Sequence, residues 1–168
     1  QRSQYNATNT FAELAMKKKI VLLTTGGTIV SSGESSTQTT GYRLGNLTVN
    51  TLLDQLPDLK DKVELEQEAV CHVDSSSMTS EIWLKLARTV QAAVDCDDVD
   101  GVVITHGTDT MEETAFFLHL VLKTDKPVVM TGAMRPATAL SADGTLNLYN
   151  AVQVALADES RGMGVLVV

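Results

Sequence analysis

Basic residues are scarce in this sequence. Thirteen Lys plus Arg stand against twenty-one Asp plus Glu, for a net charge of −8. A surface of that sign repels phosphates and anionic headgroups, which argues against nucleic-acid or membrane-surface binding. Long apolar runs are missing too. None approaches the roughly twenty residues that a membrane-crossing helix requires, and Gln1 to Ala15 is polar, without the apolar centre of an intact signal peptide. Cysteine is limited to Cys71 and Cys96, whose separation fits neither a close-spaced metal site nor a redox pair. Cys71 lies in an apolar run and reads as a small buried hydrophobe. The Gly-Lys-Ser/Thr ending of a nucleoside-triphosphate loop is absent.

What is present is ordinary for one globular domain: 168 residues, 43% hydrophobic and 20% charged. Residues 1–15 are set aside as an N-terminal extension. They are either the front of an exported mature chain or an addition before a start at Met16-Lys17-Lys18-Lys19. Strands are predicted over Lys19–Thr25, Val63–Val73, Asp100–Thr105, Pro127–Thr131 and Gly164–Val168. Helices are predicted over Thr48–Leu56, Thr79–Val94, Thr110–Lys123 and Ser141–Ala157. Ile82, Leu86, Val90 and Ala93 or Val94 share a face of the second. Thr110-Met111-Glu112-Glu113 matches a capping box, and the last helix carries Leu146, Tyr149 or Asn150, and Val152 or Gln153 along its length. Val30–Gly45, rich in Ser, Thr and Gly, reads as a mobile loop, and the acidic run Asp95–Asp100 as a solvated loop before a strand. Strands alternating with helices predict an α/β fold: a mostly parallel sheet with helices on both faces.

In such sheets the site lies at the carboxyl ends of the strands. Four ends carry Thr25-Gly26-Gly27-Thr28, Asp74-Ser75-Ser76-Ser77, Thr105-His106-Gly107-Thr108-Asp109-Thr110 and Thr131-Gly132-Ala133-Met134-Arg135-Pro136. Gly26-Gly27 lacks dinucleotide-loop spacing and runs into polar loop rather than helix. Two readings remain, a plain tight turn and a loop bearing a nucleophile. A threonine hydroxyl attacks only when a nearby base takes its proton and donors await the oxyanion. Thr28 follows the glycines, Tyr42 ends the polar loop, and Thr108 and Asp109 pair a hydroxyl with a carboxylate. For Ser75–Ser77 and Asp109 helix capping is the competing role, and His106 is read as orienting backbone at its turn.

Thr25-Gly26-Gly27-Thr28-Ile29 with His106-Gly107-Thr108-Asp109-Thr110-Met111-Glu112-Glu113-Thr114 resembles the bacterial L-asparaginase family. Gly132–Pro136, Ser141–Gly144 and Asn147–Ala151 extend the match, which runs from about Lys18 to Val168. The loop with Tyr42 is closer to the type II branch, which is often exported. The resemblance implies hydrolysis of L-asparagine to aspartate and ammonia, with L-glutamine a second substrate in some members, and no metal or organic cofactor. It implies Thr28 as the acylated nucleophile, Tyr42 on a lid helping to activate it, and Thr108 in a second hydroxyl cluster. Asp109 would hold the substrate ammonium, and Ser75 its carboxylate.

The sequence departs from the family pattern in three places. Ser76 stands where Gln or Glu usually follows the serine and helps grip the amino end. Thr124 stands where many exported members have the disulfide partner of the position of Cys96. The family also continues beyond the position of Val168 with a lysine paired to Thr108 and Asp109, and with a smaller second domain that lends a carboxylate to a neighbouring subunit. The expectation is therefore that residues 16–168 are the N-terminal catalytic domain, incomplete at its C-terminal end. Residues 1–168 alone are expected to be nearly inactive. The complete enzyme is expected to be a homotetramer, periplasmic or secreted, with a cytoplasmic location as the alternative. The competing function is a non-catalytic amino-acid-binding module.

Overall fold

A computed structural model of the chain describes residues 17–27, 29, 31–32, 43–44, 54, 56, 59 and 62–168. The expected helix over Thr48–Leu56 and most of the expected Val30–Gly45 loop lie outside these residues. Of that loop, the described part is a two-residue antiparallel pair, β2 (Ser31–Ser32) with β3 (Arg43–Leu44).

The main sheet has five strands: β1 (Lys18–Gly26), β4 (Val63–Val73), β5 (Gly101–Thr105), β6 (Val128–Thr131) and β7 (Val165–Val167). Their order is β4-β1-β5-β6-β7, and every pairing is parallel. The first strand by sequence thus sits near the middle, because its apolar run Ile20-Val21-Leu22-Leu23 is buried on both faces. β5 and β6 are buried throughout, whereas β4, at the edge, exposes Glu64, Glu66, Gln67 and Glu68.

Alternation along β1 divides the core in two. Ile20 and Leu22 join Val103, Val129 and the helix α3 (Gly144–Leu156). Val21 and Leu23 join Val102, Ile104, Met130 and the helices α1 (Ser80–Asp95) and α2 (Met111–Val121). Helices therefore cover both faces, as the alternating pattern predicts. None among the described residues is long and apolar enough to cross a membrane.

Local predictions needed four corrections. The capping box at Thr110 does not form; its hydroxyl donates instead to Ser75 O at 2.8 Å. The last helix begins at Gly144, not Ser141, and its buried face is Leu148, Ala151, Val152 and Ala155 while Leu146 is exposed. Of the residues named along its length, Val152 is buried and Tyr149 packs against the core, but alanines help fill the sheet-facing side where Leu146 does not. The acidic run is more than a solvated loop: Asp100 accepts from Lys19 N at 2.8 Å, and Asp98 shares the Lys19 ammonium with Glu66, both at 2.9 Å. Those two carboxylates raise the Lys19 pKa above its ordinary value. Cys71 is half-buried rather than buried, its thiol donating to Thr25 O at 3.4 Å, and both cysteines are free.

Candidate active site

Parallel pairing brings the carboxyl ends of β4, β1, β5 and β6 to one rim. Hydroxyls on the strand ends knit it laterally. Thr25 Oγ1 donates to Thr105 O and Thr131 Oγ1 to Val168 O, each at 2.9 Å. β1 then turns through Gly27 at φ +86°, a conformation that L side chains rarely adopt. A Cβ there would lie 2.6 Å from Gly107 N, and a Cβ on Gly107 would lie 2.5 Å from Ser75 Oγ. The turns after β1 and β5 thus meet main chain on main chain, and the turn after β4 closes on Gly107 through the Ser75 side chain.

That stacking sets Ser75. It is buried at 4% exposure and opens a single 3-10 turn, Ser75–Ser77. Its hydroxyl accepts from Asp109 N at 3.0 Å, and its carbonyl accepts from the Thr110 hydroxyl. Thr108–Thr110 form a second 3-10 turn that leads into α2. Within this clasp Thr108 is half-buried, while Asp109 and Ser76 are exposed and face solvent. The competing reading of Ser75 and Asp109 as helix caps is met instead by a contact between two turns, not by a cap on either one's own helix. Thr28 and Tyr42 lie outside the described residues, although Gly27 and Ile29, which flank Thr28 in sequence, are within them.

The fourth rim segment is braced from α3. Asp143 accepts from Met134 N and Arg135 N, both at 3.0 Å, and Asn147 Nδ2 donates to Gly132 O at 3.0 Å. The Gly132–Pro136 and Ser141–Asn147 motifs are thus one structural unit that fixes the end of β6.

His106 is fully buried beneath the rim. Its Nδ1 is 2.7 Å from Gly107 O, and its Nε2 is 3.0 Å from Thr114 Oγ1. A carbonyl only accepts, so Nδ1 carries the proton and Nε2 accepts from the threonine. Burial pushes the imidazole pKa below its ordinary value, which favours this neutral ring. Its sequence-based role of orienting backbone at the turn agrees with that contact. Thr110 as a brace for Ser75, and Thr114 as the partner of His106, were not singled out from sequence. Both depend on contacts across the fold.

A family model described as "Asparaginase, N-terminal" matches residues 19–168. A protein from Haemophilus influenzae named "Probable L-asparaginase periplasmic" is 51% identical over 156 residues, which is 93% of this chain and 44% of that protein. A "Glutaminase-asparaginase" from Pseudomonas aeruginosa is 51% identical over 158 residues, covering 92% of this chain and 44% of the relative. The crystal structure of a "Probable Cytoplasmic L-asparaginase" from Campylobacter jejuni superposes with a TM-score of 0.84 at 48% identity, covering 90% of this chain and 45% of that one. The chain thus spans less than half the length of these relatives. With the matched sheet, the strand-end motifs and the family model in agreement over nearly all of the described residues, this chain belongs to the asparaginase family and corresponds to its N-terminal domain.

Proposed function

We propose that this chain forms the nucleophile-bearing domain of an amidohydrolase that converts L-asparagine, and as a second substrate L-glutamine, to the acid and ammonia. Thr28 Oγ attacks the side-chain amide carbon, the amide nitrogen takes a proton and leaves as ammonia, and water then hydrolyses the threonine ester. Tyr42 and Thr108 assist proton movement. Asp109 holds the substrate ammonium, and Ser75, beside Ser76, holds the carboxylate. No metal or organic cofactor takes part. The complete enzyme works as a homotetramer, in the periplasm or secreted.

The observation that supports this most directly is the clasp between Ser75 and Asp109, at 3.0 Å from hydroxyl to amide. It fixes a hydroxyl and an exposed carboxylate side by side, the pair of opposite grips that an α-amino acid requires.

The test is ammonia release by the full-length protein from L-asparagine and from succinamic acid, which lacks the α-amino group. Asp109→Asn should lower kcat/KM for asparagine by about 10²-fold, the scale of losing one charged partner. It should leave turnover of succinamic acid nearly unchanged. Equal losses on both substrates would remove Asp109 from ammonium binding, and no ammonia from either substrate would sink the amidohydrolase reading. Residues 1–168 alone should release ammonia at less than about 1% of the rate of a full-length family member, since losing a single site donor typically costs 10²- to 10³-fold. A comparable rate from this chain would show that it holds every group the reaction needs.

A further inference from the structure

A line of side chains runs from an outer helix to the rim. Trp83 on α1 donates its indole Nε1–H to Thr114 Oγ1 on α2 at 2.9 Å. Thr114, fully buried, bonds His106 Nε2 at 3.0 Å, and His106 Nδ1 reaches Gly107 O at 2.7 Å. The donors have one consistent direction. The indole can only donate, so Thr114 accepts from it and donates its own hydroxyl hydrogen bond to Nε2. Nδ1–H is then left for the Gly107 carbonyl. Trp83 is itself held by stacking on Phe117, with ring centroids 5.5 Å apart and planes 17° apart.

The far end of this line falls on the rim. His106 N donates to Thr131 O at 2.9 Å, so its backbone is tied to β6 while its ring grips the next residue's carbonyl. The Gly107–Thr108 peptide is trans. In a trans peptide the carbonyl and the following N–H point in opposite directions. Holding Gly107 O against the ring therefore turns the Thr108 amide away from it. Thr108 then leads into Asp109, whose amide belongs to the next peptide and is bonded to Ser75. Gly107 has no side chain to fix its own orientation, so the clamp must come from outside the turn.

We infer that Trp83, Thr114 and His106 form a positioning relay: the Thr114 hydroxyl, donating to Nε2, anchors the His106 ring in the Nδ1–H form that the Gly107 carbonyl requires, and that ring sets the peptide plane from which Thr108 and Asp109 are presented. The role in turnover rests on the amidohydrolase reading of this rim. None of the three needs to touch substrate, and α1 thereby influences a site it does not line.

The experiment compares the full-length protein with its Thr114→Val, Thr114→Ser and Trp83→Phe variants. It records the ¹⁵N resonances of the His106 ring, the amide resonances of Thr108 and Asp109, and kcat/KM for L-asparagine. Valine matches threonine in shape but cannot donate to Nε2. Thr114→Val should shift the His106 Nε2 resonance as its donor is lost, shift both amides, and lower kcat/KM about tenfold, the weight of one ordinary hydrogen bond. Thr114→Ser should restore all three. Trp83→Phe, which keeps an aromatic ring against Phe117, should move them in the direction of valine, and it carries the same test if Thr114→Val does not fold. An unchanged ring signature in the variants would overturn the relay. A changed signature with unchanged kcat/KM would overturn its role in positioning. A wild-type protein that releases no ammonia defeats the functional reading instead, and the ring and amide resonances then still decide whether the relay sets this turn.

Discussion

Gly27→Ala lowers the stability of this domain by roughly 3 kcal/mol, within the range of about 2–5 kcal/mol to which two separate effects sum. Alanine at φ +86° incurs the left-handed penalty of about 1–2 kcal/mol. Its Cβ would also stand 2.6 Å from Gly107 N and 2.7 Å from Gly107 Cα. Those are main-chain atoms, so no rotamer change relieves the contact, and overpacking of this kind typically costs a further 1–3 kcal/mol. For a domain of this size the melting temperature should fall by about 6–12 °C, readable by calorimetry or circular dichroism. The damage should also be directional. Gly107 is pushed toward Ser75, so the amide resonance of Asp109, which is bonded to the Ser75 hydroxyl, should shift more than amides on α3. A variant within about 2 °C of wild type would mean that the two turns are not in contact in solution.

Thr28→Ala abolishes ammonia release from L-asparagine by the full-length protein, with kcat falling by about 10⁴-fold or more, the scale seen when a covalent nucleophile is removed. The reason is chemical rather than steric. Without the hydroxyl no ester forms, and the reaction must fall back on direct attack by water, with only binding and charge stabilisation to help it. Thr28→Ser keeps the hydroxyl and should recover most of the rate. Mass spectrometry of the enzyme quenched during turnover supplies the second readout: an acyl adduct on the peptide containing Thr28 in wild type, and none in the alanine variant. Full activity in Thr28→Ala would end the proposal of an acyl-enzyme on Thr28, because the oxygen that carries the ester would be gone.

Much of the fold was legible because its signals are local. The runs Gly101–Thr105 and Val128–Thr131 have no polar side, and both are strands buried on both faces. Thr79 announces α1 and caps it, accepting from Ile82 N. The errors arose where a residue has a better partner far away in sequence. Thr110 has the spacing of a capping box, but Ser75 O lies within reach of its hydroxyl, 35 residues distant. Asp98 and Asp100 look like solvent-exposed charges until β1 is laid beside them and supplies Lys19. In α3 the buried positions include Ala151 and Ala155, which add little to a hydrophobic pattern yet allow the helix to sit close to the sheet.

The site divides in the same way. Ser75, Thr108 and Asp109 could be placed on a common rim because parallel strands end together, whatever their order. That Ser75 and Asp109 bond each other depends on β1 lying between β4 and β5 with glycine at its end. No local pattern encodes that adjacency. His106 carried a signal, since a histidine before a glycine turn suggests a backbone contact. Trp83 did not, because its bond to Thr114 joins two helices at positions 31 residues apart.

The rim built by Gly27, Gly107 and Ser75 also sets where this protein is free to change. At Gly27 the frame is main chain against main chain and at Gly107 it is main chain against the Ser75 side chain, so a Cβ at either glycine would collide with the neighbouring turn. The side chains of Ser76 and Asp109, by contrast, are exposed on the same turns, while the Asp109 amide holds the Ser75 hydroxyl. On the proposed function, variation that retunes which small molecules are accepted is therefore channelled to Ser76, and libraries aimed at new specificity should be built there, with the glycines and Asp109 held fixed.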